Sequence, residues 1–519
     1  MDVHTEVPTV TAPATGQPAE AVAEADRLYH DGSKDSHAAI ANALKLGSSL
    51  VATLVIAIAM KFLMPRYLGP TRFGTLSFAD GFTGTFFVTL SLGAESYIRK
   101  EVSVRLAHAS DFLGGTLVLR AVMSVAIFGI MAMVMNATGR SREVRQLVYL
   151  FGAAQFFVSV NGTLSALLHA RGRVGGMSAL AVATKIVWAA GVVAAIVTGA
   201  GLWGFAAAYL ASESIESFVL FALANRHLGV VFRVDAAATK AMIVCSLPYF
   251  VTGCATGAYG KLDVTLLGML GTGREVGWYV AASAITGLTL LITPLIDWVL
   301  APVFARGAAR SRDDLYSHIR QATEPILAVA IPAALFVSVG ADLWLRLLFG
   351  HAFAPAALAL RVLAASSVII YIAIVYAMTL VMLNRPWTLA LISVAALVVN
   401  LAFNLLLIRR SMALFGEGGG GVGCAFAALG THGFAAAAMI AVVGREAFNK
   451  RTVRMVALSL VACALVVVVD RLAASLGWVR IVIDAGVYLA VVVSTGALRA
   501  SELWTLVTTV IRKKGHAPA

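Results

Sequence analysis

The sequence predicts an all-α polytopic membrane protein of about 14 transmembrane helices. Of its 519 residues, 60% are hydrophobic and 13% charged, with a mean hydropathy of +0.86. A soluble domain carries roughly a quarter charged residues. Apolar stretches long enough to cross a bilayer as helices, about 20 residues each, recur along the chain. They do not alternate apolar and polar residues, which excludes a membrane barrel.

The expected spans run in order as follows. A first group lies near 44–66, 74–97, 112–135, 145–168, 174–198 and 202–225, forming an N-terminal lobe over 44–225. A polar connector, 226–240, leads to a second group near 241–270, 277–304, 324–349, 355–383, 387–408 and 420–444, a C-terminal lobe over 241–444. Two trailing spans near 453–472 and 477–498 fill 445–500, and a basic tail occupies 501–519. Residues 1–43 form a tail ahead of the first span. Its first 37 residues, rich in Ala, Pro and Thr and lacking a basic start and apolar core, predict disorder rather than a secretory signal.

Charge sets the orientation. The chain has 40 Lys and Arg against 27 Asp and Glu. Seven of the acids (Asp2, Glu6, Glu20, Glu24, Asp26, Asp31, Asp35) lie in the N-terminal tail, so the apolar body is strongly basic. Lys and Arg concentrate in the loops that a cytoplasmic N-terminus places inside, such as Arg99, Lys100, Arg105, Arg171, Arg173, Arg226, Arg233 and Lys240. The positive-inside rule then predicts both termini in the cytoplasm and a multi-pass protein of the inner (plasma) membrane. The rest of the basic excess serves anionic lipid headgroups or an anionic substrate path. No polar domain of useful size offers a nucleic-acid surface. The four Cys lie in apolar segments without a C-x-x-C pair, which predicts packing roles rather than zinc or a disulfide framework.

An internal repeat divides the body. Leu68-Gly69-Pro70-Thr71-Arg72-Phe73-Gly74 closes the first span and opens the second, and Leu270-Gly271-Thr272-Gly273-Arg274-Glu275-Val276-Gly277 does the same for the seventh and eighth. Gly74 and Gly277 stand 203 residues apart. Two lobes running the same way predict parallel repeats about an axis along the membrane normal, enclosing a central lumen.

The block from Lys261-Leu262-Asp263 through Gly277-Trp278-Tyr279 resembles the central signature of the polysaccharide-biosynthesis flippases in the multidrug/oligosaccharidyl-lipid/polysaccharide (MOP) exporter superfamily. Further pieces resemble that family in the same order: Arg99-Lys100-Glu101, Ala301-Pro302-Val303-Phe304, Leu348-Phe349-Gly350 with Phe353, and Asn400 and Asn404 followed by Gly421-Val422-Gly423-Cys424. Two departures are the acidic tail and the run Glu417-Gly418-Gly419-Gly420-Gly421, which predicts a more flexible turn. The resemblance implies a flippase for an undecaprenyl-pyrophosphate-type oligosaccharide, working by alternating access to supply O-antigen, capsule or exopolysaccharide assembly. A polysaccharide polymerase and chain-length machinery are the protein partners it implies. Alternatives within the superfamily are a lipid II flippase or an ion-coupled multidrug antiporter. A membrane glycosyltransferase or polymerase usually has a large outer loop, and a non-transporting scaffold would not need charges deep in several spans.

No nucleophile-elbow pattern is present, and the glycine run lacks the Gly-Lys-Ser/Thr ending of a phosphate-binding loop, so neither catalysis nor an ATP site is expected. A coupled proton or sodium ion is the expected energy source. Ionisable residues inside spans are costly and mark pathways or partners. Arg120 and Lys185 sit deep, and with Lys61, Lys261, Asn161 and Asn404 they form the expected substrate lumen for phosphates and sugar. Asp263, Glu213, Glu216 and Asp80 are the expected ion-coupling acids. Glu213 and Glu216, three apart, share a helix face, whereas Lys261 and Asp263, two apart, do not. Plainer roles are available too: headgroup snorkelling for Lys61, Glu95 and Asp297, interhelical hydrogen bonding for Asn161, Asn400 and Asn404, and an Asp342–Arg346 structural pair.

Overall fold

The computed structural model describes residues 18–91, 98, 109–170, 174–229, 232–444 and 450–495; along 18–46 and at Asp297, among others, the backbone alone is described. Fifteen α-helices run through these residues: α1 (Pro18–Phe87), α2 (Ala109–Ala137), α3 (Arg142–Ala170), α4 (Val174–Thr198), α5 (Gly201–Leu228), α6 (Ala236–Leu270), α7 (Gly273–Thr289), α8 (Thr293–Arg310), α9 (Arg312–Val339), α10 (Ala341–Leu348), α11 (Ala357–Met382), α12 (Pro386–Phe415), α13 (Gly419–Val443), α14 (Lys450–Leu472) and α15 (Val479–Ser494). No strand occurs among the described residues.

Eleven helical stretches among them are long and apolar enough to cross a membrane, and the first, Gly47–Leu90, holds two expected spans in one. The break inside α1 is Gly69, whose φ of 69° only glycine adopts cheaply, followed at once by Pro70. The expected eighth span is divided between α7 and α8. Leu290, Leu291 and Thr293 make tight three-residue hydrogen bonds there, and a proline in the first turn of α8 supplies no N–H to continue the ladder. The expected ninth span likewise divides at Gly340 into α9 and α10. The expected disordered tail gives way to helix from Pro18 onward; alanines at 19, 21, 23 and 25 favour it. Glu95 and the Arg99-Lys100-Glu101 turn lie outside the described residues, as does the side chain of Asp297.

Packing follows from sequence as it must in lipid. Large apolar side chains face outward, with Val125 75% and Phe218 72% exposed, an arrangement water would not tolerate. The main buried cluster joins Phe73, Phe82, Leu147, Phe205, Trp278 and Phe353, so α1, α3, α5 and α7 share one core. α3 packs with α5 and α4 with α5 in the first half; α6 with α12 and α13 with α11 and α12 in the second. α14 and α15 pair and lean on α9.

The two glycine-rich turns of the sequence repeat meet each other. A Cβ on Gly74 would lie 1.7 Å from the Gly273 carbonyl oxygen, and one on Gly277 would lie 2.0 Å from that of Pro70. Glycine at both places is therefore what lets the second arm of α1 and the start of α7 touch backbone to backbone.

Candidate functional site

A cavity of about 580 Å³ opens directly beside this glycine contact. Its walls come from both arms of α1, from α3, α4 and α5, and from α6 and α7. Lys61, Asp80 and Lys261 line it together. Lys261 Nζ lies 2.9 Å from Asp80 Oδ2, while Lys61 has no carboxylate partner among the described residues. Two lysines against one aspartate leave the cavity with an excess of positive charge. Around them stand neutral polar groups, Ser77, Gln155, Tyr209 and Ser283, and the rings of Phe73, Trp188 and Tyr279. Of the expected lumen and coupling residues, the structure brings these three charged groups together.

The others form two satellites behind the walls. On α6, Lys261 faces the cavity, and Asp263, two residues on, faces the other way and is buried. Its carboxylate accepts hydrogen bonds from the amides of Asn400 (3.0 Å) and Asn404 (2.7 Å) and from the hydroxyl of Tyr279 (2.8 Å). No basic side chain contacts it among the described residues. Asn404, expected in the lumen, is fully buried and spends its amide on this acid and on Asn400 instead. Tyr279 joins the two sites, since it also lines the cavity.

In the first half, Asn161 is likewise displaced from its expected place: its amide donates to Glu213 Oε2 (3.1 Å) and to the Glu213 carbonyl, and its oxygen accepts from Ser217. A buried carboxylate needs such donors. Lys185 Nζ lies 3.8 Å from Glu213 Oε1 and 5.8 Å from the centroid of the Trp188 ring, so it backs the cavity wall rather than forming it. Glu216 accepts a hydrogen bond from Thr184 Oγ1 at 3.0 Å. Arg120 departs furthest from expectation. It is fully buried between α2 and α3, donates to Thr163 Oγ1, and does not line the cavity. A guanidinium that deep is held by protein groups because leaving it unsolvated would be costly.

Two further arrangements escaped sequence reasoning. Asp342 pairs not with Arg346 but with Arg361 (2.7 Å) and with Arg480 of α15 (3.2 Å), and Arg480 reaches on to Asp470 (3.4 Å). Asp342 stands in the first turn of the eight-residue α10, where it meets these neighbours. The glycine run expected to be flexible is the ordered first turn of α13: the N–H groups of Gly418, Gly420 and Gly421 donate to the buried Glu275 carboxylate at 2.8, 3.0 and 3.3 Å. Free N–H groups at a helix start are a ready anion site. Burial raises the Glu275 pKa and these three donors oppose the rise. An acid in one glycine-rich turn and a glycine-rich helix start elsewhere was the available signal. The cavity's Gln155, Trp188 and Tyr209 carried none, because such residues are common in apolar spans.

The family described as "Polysaccharide biosynthesis protein" matches residues 63–358, more than half of the chain. A probable low-salt glycan biosynthesis flippase, Agl15 of Haloferax volcanii, is 22% identical over 351 residues, covering 66% of this chain and 72% of its own. Among solved structures, the lipid II flippase MurJ in an inward closed conformation superposes with a TM-score of 0.68 at 12% identity, over 86% of this chain and 97% of that one. An inward-facing MATE multidrug resistance transporter superposes at 0.58 and 15% identity, over 76% and 98%. At such identities the likeness is one of fold. The chain is a multi-pass membrane protein that belongs to the polysaccharide biosynthesis protein family and has the fold of the MOP-superfamily flippases.

Proposed function

We propose that this protein translocates a lipid-linked oligosaccharide, joined to its polyprenyl carrier through a diphosphate, to the outer leaflet of the plasma membrane by alternating access. The observation that carries the reading is the cavity between the halves, where Lys61 and Lys261 face one space with a single acid between them. A diphosphate cannot cross hydrocarbon bare. Lysines act on it as point charges in a low-dielectric setting, where each contact counts for more than in water. Lys61 offers its charge directly, and Lys261 becomes available when phosphate displaces Asp80. The sugars occupy the cavity and the polyprenyl tail stays in lipid. Both termini lie in the cytoplasm, in keeping with the Lys and Arg distribution.

A proton or sodium ion drives the cycle. Asp263 is the first station for it, because a buried carboxylate without a basic partner must be neutralised some other way. Asp80, Glu213 and Glu216 already have Lys261, Lys185 and Thr184 beside them.

The test is reconstitution into vesicles with a fluorescent polyprenyl-diphosphate hexose, scored by its accessibility at the outer surface. Lys61→Ala with Lys261→Ala should reduce the translocation rate at least about tenfold, the equivalent of one lost charge-assisted contact, with insertion unchanged. Wild-type translocation by the double variant would overturn the role of the cavity lysines.

A further inference from the structure

The cavity is not uniform, and its asymmetry says which part of a substrate each wall takes. Its charges lie along one seam, where Lys61 and Asp80 of α1 meet Lys261 of α6. The wall built by α3, α4 and α5 has no charge in the cavity lining and presents Phe151, Gln155, Trp188, Phe205 and Tyr209. Phe151 and Phe205 are 6% and 2% exposed and serve as backing. Trp188, Tyr209 and Gln155 are half-buried and reachable. The Gln155 amide makes no hydrogen bond among the described residues. A phosphate has no use for an indole, and a hydrocarbon tail has no use for a free amide. A pyranose uses both: its C–H face packs on a flat ring, and its rim of hydroxyls meets the two donors and one acceptor of an amide.

Trp188 is also held from behind. Lys185, three residues earlier on α4, places its ammonium 5.8 Å from the centre of the indole. The ammonium is fixed 3.8 Å from Glu213, which Asn161 holds in turn at 3.1 Å. Glu213 lies one helical turn from Tyr209 on α5, and the Tyr209 ring packs 5.9 Å from that of Phe151. This network, in which Glu213 and Asn161 are buried and the Lys185 side chain is 34% exposed, meets the cavity at the two rings. Rings locked in one orientation lose little freedom on binding, which raises selectivity.

We propose that Trp188, Tyr209 and Gln155 read the sugar adjoining the diphosphate, and that Lys185 is a positioning residue, anchored by Glu213, that fixes the indole. The proposal rests on the lipid-linked oligosaccharide reading above and names the specificity element of that same site.

The experiment compares two probes on full-length protein in lipid nanodiscs: a short-chain polyprenyl diphosphate, and the same lipid bearing one hexose. Wild-type protein should bind the hexose-bearing probe about tenfold more tightly, the scale of one ring contact with a satisfied hydrogen bond. Trp188→Ala should erase that preference and keep affinity for the bare diphosphate within about twofold, and Trp188→Phe should keep part of the preference. Lys185→Met should narrow it to about threefold, and Lys185→Arg should restore it. Tight but equal binding of both probes by the wild type overturns this inference and leaves the flippase reading standing. Binding of neither probe removes that reading, and this inference with it. A preference that survives Trp188→Ala at full size overturns the assignment of the platform.

Discussion

Asp263 and Glu213 are both buried carboxylates one layer behind the same cavity, yet they are kept in different ways. Asp263 is surrounded by neutral donors, two asparagine amides and a tyrosine hydroxyl. Glu213 has one asparagine amide and a lysine ammonium. Donors alone solvate a carboxylate without cancelling its charge, whereas an ammonium cancels it. On the proposed reading the difference separates two roles: Glu213, with Lys185 beside it, suits a structural network, and Asp263 is the acid proposed to take a small cation. Tyr279 donates to Asp263 and lines the cavity, so it links this acid to the proposed substrate site.

The strongest way to break this comparison is to strip donors from Asp263. Asn404→Leu removes the shortest of its three hydrogen bonds and the bond Asn404 makes to the Asn400 carbonyl. We expect a loss of about 1.5–3 kcal/mol, the scale of one hydrogen bond to a charged group, seen as a lowered midpoint in detergent-based thermal unfolding, with Asn400 still donating to the same oxygen. The corresponding Asn161→Leu should cost less, because Lys185 still faces Glu213. Equal losses at the two sites would show that the ammonium contributes nothing at 3.8 Å.

A second experiment sharpens the comparison by removing charge and keeping shape. Asp263→Asn should abolish the dependence of translocation on an imposed proton or sodium gradient and change stability by less than about 1 kcal/mol, since a buried charge is lost along with its hydrogen bonds. Glu213→Gln should do the opposite. Gradient dependence stays, and stability falls by about 1–3 kcal/mol because Lys185 is left without its anion. Gradient-dependent transport in vesicles, measured beside thermal unfolding, separates the two. Full gradient dependence in the Asp263 variant would reverse the assignment.

What the sequence made legible follows the same physics. Hydrocarbon length and composition are one-dimensional properties, so the all-α polytopic fold could be read, and the breaks at Gly69 and near Pro294 carry local glycine or proline signals. The paired glycines at 74 and 277 were visible as a repeat, but their direct contact was not, because a repeat says that two segments are alike and not that they touch. Among site residues, charge depth singled out Lys61, Asp80, Lys261 and Asp263, and the structure places the first three in one cavity and the fourth behind its wall. Charge depth gave no means of telling a cavity-lining cation from Arg120, which is equally deep and wholly enclosed. Asn161 and Asn404 carried two readings, a place in the lumen or an interhelical hydrogen bond, and the structure shows the second. An amide on an apolar span fits either, and only three-dimensional neighbours decide. Helical spacing pairs Asp342 with Arg346, but spacing along one helix says nothing of partners on other helices, here Arg361 and Arg480.

The smallest effect tests the edge of the Glu213 network. Glu216 lies one turn from Glu213 on the same face of α5, and a pair of acids against one lysine leaves a surplus negative charge. Glu216 is less buried than Glu213 and accepts a hydrogen bond from Thr184 Oγ1 at 3.0 Å. Glu216→Gln keeps an acceptor for that hydroxyl and removes a like charge near Glu213. Repulsion relieved and attraction to Lys185 lost offset each other, so stability should shift by no more than about 0.5 kcal/mol. The two effects separate in a double-mutant cycle with Lys185→Met. If Glu216 acts mainly through Lys185, the coupling energy will exceed its uncertainty, and Glu216→Gln alone will be destabilising. If it acts mainly against Glu213, the single variant will be neutral or slightly stabilising, and Lys185→Met will cost the same with or without it. We expect the second result, because the Lys185 ammonium lies beside Glu213 and Trp188, and Glu216 accepts from Thr184.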